Sequence, residues 1–239
     1  MNAFMELNKH KKPVNAMLWL LSLLPFLYVI YCYFVVSLAN PFEFLIVHSG
    51  RWAMIFFLAS YGVSPFCRLI TVVAAKQRWA RGKRLADWNF VIFQRRMLGL
   101  NSFYYAGLHF FVYFNFEIDF SFEEWYSEIS ERYFVLVGSV ALLLLVVLAA
   151  TSLDNIQRLL KKKWKTVHKL IYPTAVLLIM HIVMVEKNLT LDLILFTLTY
   201  VLLSVERLLH FFQYIVDKRQ NFLLRLARRT ESSPRINLD

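Results

Sequence analysis

The stretch WKTVHKLIYPTAVLLIMHIVMV, residues 164–185, is apolar enough to cross a membrane, yet it carries two histidines, His168 and His181. An imidazole in hydrocarbon is costly unless it faces the bundle interior and finds a partner. Thirteen residues separate the two, which at helical rise is about 20 Å of depth. One histidine therefore belongs near the entry of the span and the other well inside it. On an ideal helix the two do not share a face, and Pro173 between them predicts a kink or bulge that re-aims one ring.

The rest of the chain has the same apolar character. Its 239 residues are 59% hydrophobic, with 22 Phe and 12 Tyr. A water-soluble domain of this size would expose too much apolar surface. Runs near 20 apolar residues, the length a crossing helix needs, predict an all-α bundle of six spans: residues 14–39, 52–73, 97–116, 133–152, 166–185 and from 193 onward. Pro25 predicts a kink in the first. The first run is too long for a cleaved leader and no small-residue site closes it, so it reads as a retained span. NPFEFLIVHSGR, residues 40–51, reads as a short interfacial connector, because proline and glycine punctuate it. EIDFSFEEWYSEISER reads as an acidic loop and DNIQRLLKKKWK as a basic one. The domain reading is an arm at 1–13, a bundle at 14–216 and a basic tail at 217–239. Cys32 and Cys67 fall near opposite faces and cannot pair with each other.

Lys and Arg fix an expected orientation. With the N-terminus inside, inner segments hold 24 of the 27 cations, and outer segments hold only Arg51, Arg132 and Lys187. The positive-inside rule then puts both termini in the cytoplasm. The net charge of +11 is a lipid-headgroup and topology signal, and no interleaving of basic and aromatic residues on a soluble domain points to nucleic acid.

In that topology spans three and five run parallel. His109 and His181 lie at matching depths in the outer half, while His168 sits at the cytoplasmic rim. Two imidazoles from facing helices can hold a haem iron from both sides. A plain hydrogen-bonded histidine is the competing account, weakest for the deep pair and strongest for His168 among its lysines and Trp164. The inner end of span three offers Gln94, Arg95 and Arg96 opposite His168. Arg95, Arg96, Lys165 and Lys169 form a basic cluster suited to propionates or an FMN phosphate. Arg51, isolated on the outer side, is a candidate for haem propionates, with Glu43 as its alternative partner. His10 reads as solvent-facing, His48 as interfacial, and His210 as a surface partner of Glu206.

These residues carry a resemblance. NPFEFLIVHSGRWA, YGVSP, QRRMLGLNSFYYAGLH, LAATS and KWKTVHKLIYPTAVLLIMH resemble the MsrQ (YedZ) family, haem-binding membrane subunits of bacterial periplasmic methionine sulfoxide reductase systems, within the ferric-reductase-like transmembrane group. The likeness runs over residues 40–187. It implies a multi-pass protein of the bacterial inner membrane with b-type haem, one or two, and FMN. It further implies delivery of electrons from the quinone pool, or a cytoplasmic flavin reductase, to a periplasmic molybdopterin-containing reductase subunit in a heterodimer. The family histidines fall on His109, His168 and His181. Two features depart from the family: Glu131-Arg132-Tyr133 stands where members read Arg-Pro-Tyr, and the tail is long and basic. No catalytic residue is expected, since the sulfoxide chemistry belongs to the partner. The chain ends soon after span six with no GxGxxG loop, so no nicotinamide domain is expected. A stand-alone quinol-oxidising or ferric-reducing cytochrome, and a small transporter using the deep histidines for protons or metal, are the alternatives.

Overall fold

The structure, a computed structural model, describes residues 11–36, 39–79, 82–186 and 188–231. The expectations for residues 1–10 with His10, for Arg81 and Lys187, and for the tail at 232–239 with Arg235 lie outside them. Nine α-helices are described: α1 Lys11–Val35, α2 Pro41–Lys76, α3 Asn89–Phe116, α4 Phe122–Glu131, α5 Tyr133–Ala150, α6 Asp154–Leu160, α7 Trp164–Val167, α8 Ile171–Val185 and α9 Leu191–Glu231.

The expected connector before span two is helix from its second residue, Pro41. Asn40 caps it, its side chain accepting from Glu43 N–H at 3.2 Å and donating to the Glu43 carboxylate at 3.1 Å. Pro41 sits in the first turn, where its missing N–H costs nothing. Proline and glycine here begin and notch a helix; they do not interrupt it. The 36 residues of α2 extend about 54 Å, well beyond a hydrocarbon core of about 30 Å. The acidic loop is likewise mostly helix, α4, capped by the Ser121 hydroxyl on Glu124 N–H. The basic loop is α6 followed by a 3-10 turn at Lys161–Lys163.

Span five is composite. A 3-10 turn over His168–Leu170 divides α7 from α8. Pro173 is the third residue of α8, inside the first turn, where four amides lack helical partners in any case. The break that re-aims the histidines thus precedes the proline.

Among the described residues five segments are long and apolar enough to cross a bilayer: Pro13–Val35, Pro41–Lys76, Tyr133–Ala150, Asp154–Val185 and Leu191–Leu224. The expectation of six crossings depends on α3, which is 28 residues long but less apolar. Its polar residues reach other helices. Ser102 donates to Ala53 O at 3.0 Å, and His109 Nδ1 meets Ile46 O at 2.9 Å. From the other side Ser60 donates to Arg95 O at 3.0 Å. Ile46, Ala53 and Ser60 are seven residues apart on α2 and meet His109, Ser102 and Arg95, seven apart on α3. This is an antiparallel pair in heptad register. Polar side chains bonding across helices supply the specificity that hydrophobicity cannot supply inside lipid. A second antiparallel pair joins α5 to α7 and α8: His181 reaches Phe134 O, and Trp164 donates to Thr151 O at 2.9 Å.

The chain divides into two compact units, Met1–Tyr200 and Val201–Asp239. The second is the continuation of α9, described to Glu231. Among its described side chains Leu208, Phe212, Ile215 and Phe222 are exposed, an apolar stripe at helical spacing.

Pro25 opens the ladder of α1, and Tyr105 fills the gap. The Tyr105 hydroxyl accepts from Phe26 N–H at 3.1 Å and donates to Ser22 O at 2.8 Å. It stands between a donor and acceptor that an unbroken helix would pair. Its ring is 1% exposed and stacks on Phe56. Tyr105→Phe is expected to lower stability in detergent by about 1 kcal/mol, because α1 can close only part of the gap. Thermal or denaturant unfolding of the purified variant checks this.

Candidate functional site

His109 on α3 and His181 on α8 face one another across the two helix pairs. Their ring centroids are 6.2 Å apart and their planes stand at 87°. Each Nδ1 lies 2.9 Å from a backbone oxygen of the neighbouring helix, Ile46 O for His109 and Phe134 O for His181. A carbonyl can only accept, so each Nδ1 carries the proton and each Nε2 keeps its lone pair. In the neutral form of each ring the carbonyl sets tautomer and orientation and leaves Nε2 as the free nitrogen, the arrangement in which a second partner orients a metal-binding imidazole.

Two glycines make this possible. An ideal Cβ at Gly50 would lie 2.9 Å from His109 Nδ1, and one at Gly138 would lie 2.8 Å from His181 Nδ1. Gly50 follows Ile46 by four residues, and Gly138 follows Phe134 by four. In a helix the side chain at i+4 flanks the carbonyl of residue i, because that carbonyl bonds the i+4 amide. Without a Cβ the oxygen's second lone pair is open to a ring from the next helix. The same device recurs at Arg95 O and Gly99, where Ser60 enters; there a Cβ would meet the Ser60 hydroxyl at an ordinary 3.5 Å.

Both rings line a cavity of about 360 Å³. Its walls are apolar, among them Met54, Ala106, Phe110, Leu142 and Leu178, and its rim is charged, with Arg51, Glu117, Arg132, Glu186 and Asp192. Two imidazoles sharing one metal, each at a metal–nitrogen distance of about 2.0–2.1 Å, have ring centres roughly 6 Å apart. The observed spacing, the neutral donors and the cavity size, within the usual range of about 300–1,000 Å³ for ligand sites, together fit a bis-imidazole haem.

Arg51 lies at the rim, but not alone: it pairs with Asp192 in the first turn of α9. Glu43, the partner expected from sequence, is taken up in the cap of α2. Arg132 pairs with Glu128 at 3.1 Å and lies 3.9 Å from Glu117. The Tyr113 hydroxyl also donates to Glu128, at 3.1 Å.

His168 is held apart from this centre. Its ring lies 4.1 Å from that of Trp164, and its Nε2 is 3.4 Å from the Thr151 hydroxyl. The three polar residues near the N-terminal end of α3 reach different helices. Gln94 donates to Asn15 at 2.7 Å, Arg95 to Ser64 at 3.4 Å, and Arg96 pairs with Asp154 at 2.5 Å. Gly50, Gly138, Asp192 and the two carbonyls were not singled out from sequence. The available signal was a glycine four residues after a large apolar one, the lone glycine of α5 at Gly138 and one of two in α2 at Gly50.

The family model for ferric reductase like transmembrane components matches residues 49–179, from the residue before Gly50 to just short of His181. The chain is 34% identical over 170 residues to the protein-methionine-sulfoxide reductase heme-binding subunit MsrQ of Herminiimonas arsenicoxydans, covering 70% of this chain and 71% of that one. It is 36% identical over 169 residues to the subunit of the same name from Rhodospirillum rubrum, covering 70% and 74%. With that from Azospira oryzae the identity is 32% over 193 residues, covering 80% and 76%. The chain belongs to the MsrQ family. As an MsrQ-family member it is a multi-pass bacterial membrane protein, in keeping with the five apolar segments.

The glycine notches give this MsrQ-family chain a graded test. Gly50→Ala and Gly138→Ala are expected to displace the rings they carry and to weaken or abolish any low-spin haem spectrum. Gly99→Ala and Gly107→Ala are expected to leave it unchanged, since a Cβ has ordinary contact at the first and nothing within 4 Å at the second. Absorption spectra of the four purified variants, compared at equal protein, check the ranking.

Proposed function

We propose that this chain is the haem-binding, electron-transferring membrane subunit of a protein-methionine-sulfoxide reductase system, with His109 and His181 as the two axial ligands of a b-type haem. The observation that carries this is the facing pair of neutral imidazoles at the spacing of a shared metal. The name of the relatives, heme-binding subunit, supports it.

When bound, the haem supplies one-electron redox chemistry. The protein's own groups do the rest. Ile46 O and Phe134 O hold the two rings and raise the basicity of their free nitrogens. The apolar walls keep water from the ring faces, and low polarity strengthens every fixed charge nearby. Arg51 and Arg132 put cations at the rim, where carboxylates of an amphipathic cofactor would emerge.

In this reading the bundle crosses six times, α3 included, with both termini cytoplasmic. The charge asymmetry supports that orientation and puts the cavity rim on the periplasmic side. The electron acceptor is then a periplasmic molybdopterin-containing reductase subunit, held as a heterodimer. The donor is a membrane quinol or a cytoplasmic flavin reductase at the inner end. FMN, and a second haem if His168 ligates one, belong to that inner end. Arg95, Lys165 and Lys169 are the cations for an anionic group there, Arg96 being engaged by Asp154.

His109→Ala and His181→Ala are each expected to remove one axial ligand and eliminate the low-spin reduced spectrum. His168→Ala is expected to leave that spectrum intact while slowing reduction by the donor and lowering cofactor content per chain. A wild-type spectrum in either deep variant would refute the pairing, and an unchanged His168→Ala variant would make that residue an interfacial anchor.

A further inference from the structure

Arg51 is placed as a cofactor anchor, but its charge is already matched. Asp192 contacts its Nη2, and both side chains are partly exposed, 40% for Arg51 and 39% for Asp192. The contact is incomplete: Arg51 Nε is buried with no hydrogen-bond partner. A guanidinium presents a fork of donors that one carboxylate can satisfy two at a time. Asp192 leaves one of those donors unmet at the rim of the cavity that His109 and His181 line.

Asp192 can also leave at modest cost. It lies in the first turn of α9, where four amide groups lack helical partners and the helix dipole favours a negative charge. Water reaches its carboxylate. It therefore keeps two sources of stabilisation when Arg51 is withdrawn. The rim pair on the other side differs. Glu128 is held by Arg132 and by the Tyr113 hydroxyl together, so it has a second reason to stay.

The rim charges decide between the two ways a cofactor carboxylate could meet Arg51. Glu117, Glu186 and Asp192 stand there against Arg51 and Arg132. Adding carboxylates while Asp192 keeps its place would set like charges together beside low-dielectric walls. Exchange avoids that.

We infer that Asp192 is a placeholder: it holds Arg51 in the cofactor-free chain and is displaced when a carboxylate of the cofactor takes the guanidinium. This rests on the haem reading of the His109–His181 cavity. It makes cofactor loading a competition between an internal carboxylate at the start of α9 and an incoming one.

The test uses the full-length protein in detergent, produced without haem and titrated with hemin, then with hemin dimethyl ester, whose carboxylates are blocked. Asp192→Asn, with Asp192→Ser as a second variant that also suits a helix N-terminus, should bind hemin about two- to fivefold more tightly than the unsubstituted chain, the range expected of a partly exposed ion pair. The same substitutions should lower the melting temperature of the cofactor-free protein. Their advantage should vanish with the dimethyl ester. Equal or weaker hemin binding by both variants, beside an unsubstituted chain that binds, overturns the placeholder alone. An unsubstituted chain that forms no bis-imidazole complex with hemin overturns the haem reading and this inference with it.

Discussion

A helix carbonyl in hydrocarbon already holds the amide four residues on, and its second lone pair is normally screened by the side chain that amide carries. At Ile46 and Phe134 the screening side chain is a glycine's hydrogen, and an imidazole from the adjacent helix takes the open lone pair. The site depends on these two hydrogen bonds. They dock α2 to α3 and α5 to α8, they choose the tautomer of each neutral histidine, and they leave both Nε2 atoms free. Each bond also meets a cost: a buried ring nitrogen with no partner would be a large penalty in a membrane. Structure and ligand geometry are thus set by the same contacts.

The heptad register between α2 and α3 extends this logic along the bundle. His109, Ser102 and Arg95 meet α2 at every second turn, and Tyr105, whose ring stacks on Phe56 of α2, closes the gap that Pro25 leaves in α1. That is why α3, though long enough to cross, is less apolar than α1, α2, α5 and α8. Its polar side chains are spent on neighbours, which makes it central in the packing and inconspicuous to hydropathy. The 3-10 turn at His168–Leu170 does the complementary work on the other pair, separating a histidine packed on Trp164 from one aimed at the cavity.

Much of this was legible in the residues. Rare intramembrane histidines, their depths and the cation asymmetry marked His109 and His181 as a pair before any coordinates. The all-α membrane class followed from composition. What was misread was punctuation. Asn40–Pro41 and Gly50 looked like a break because glycine and proline interrupt helices in water, where the backbone has other partners. In lipid the backbone has none, so the helix continues and Gly50 becomes a notch. Asp192 was hidden for a different reason: its partner Arg51 is far away in sequence, and nothing local to either residue encodes the contact. Pro173 was credited with a bend that the preceding 3-10 turn makes.

The most direct measurement of the central claim is the electron paramagnetic resonance spectrum of the purified, oxidised protein with haem bound. Imidazole planes at right angles give a low-spin ferric signal of strong axial anisotropy, because they interact equally with the iron dxz and dyz orbitals and leave them nearly degenerate. The account predicts that signal. A high-spin spectrum, or the rhombic low-spin signal of parallel rings, would contradict it.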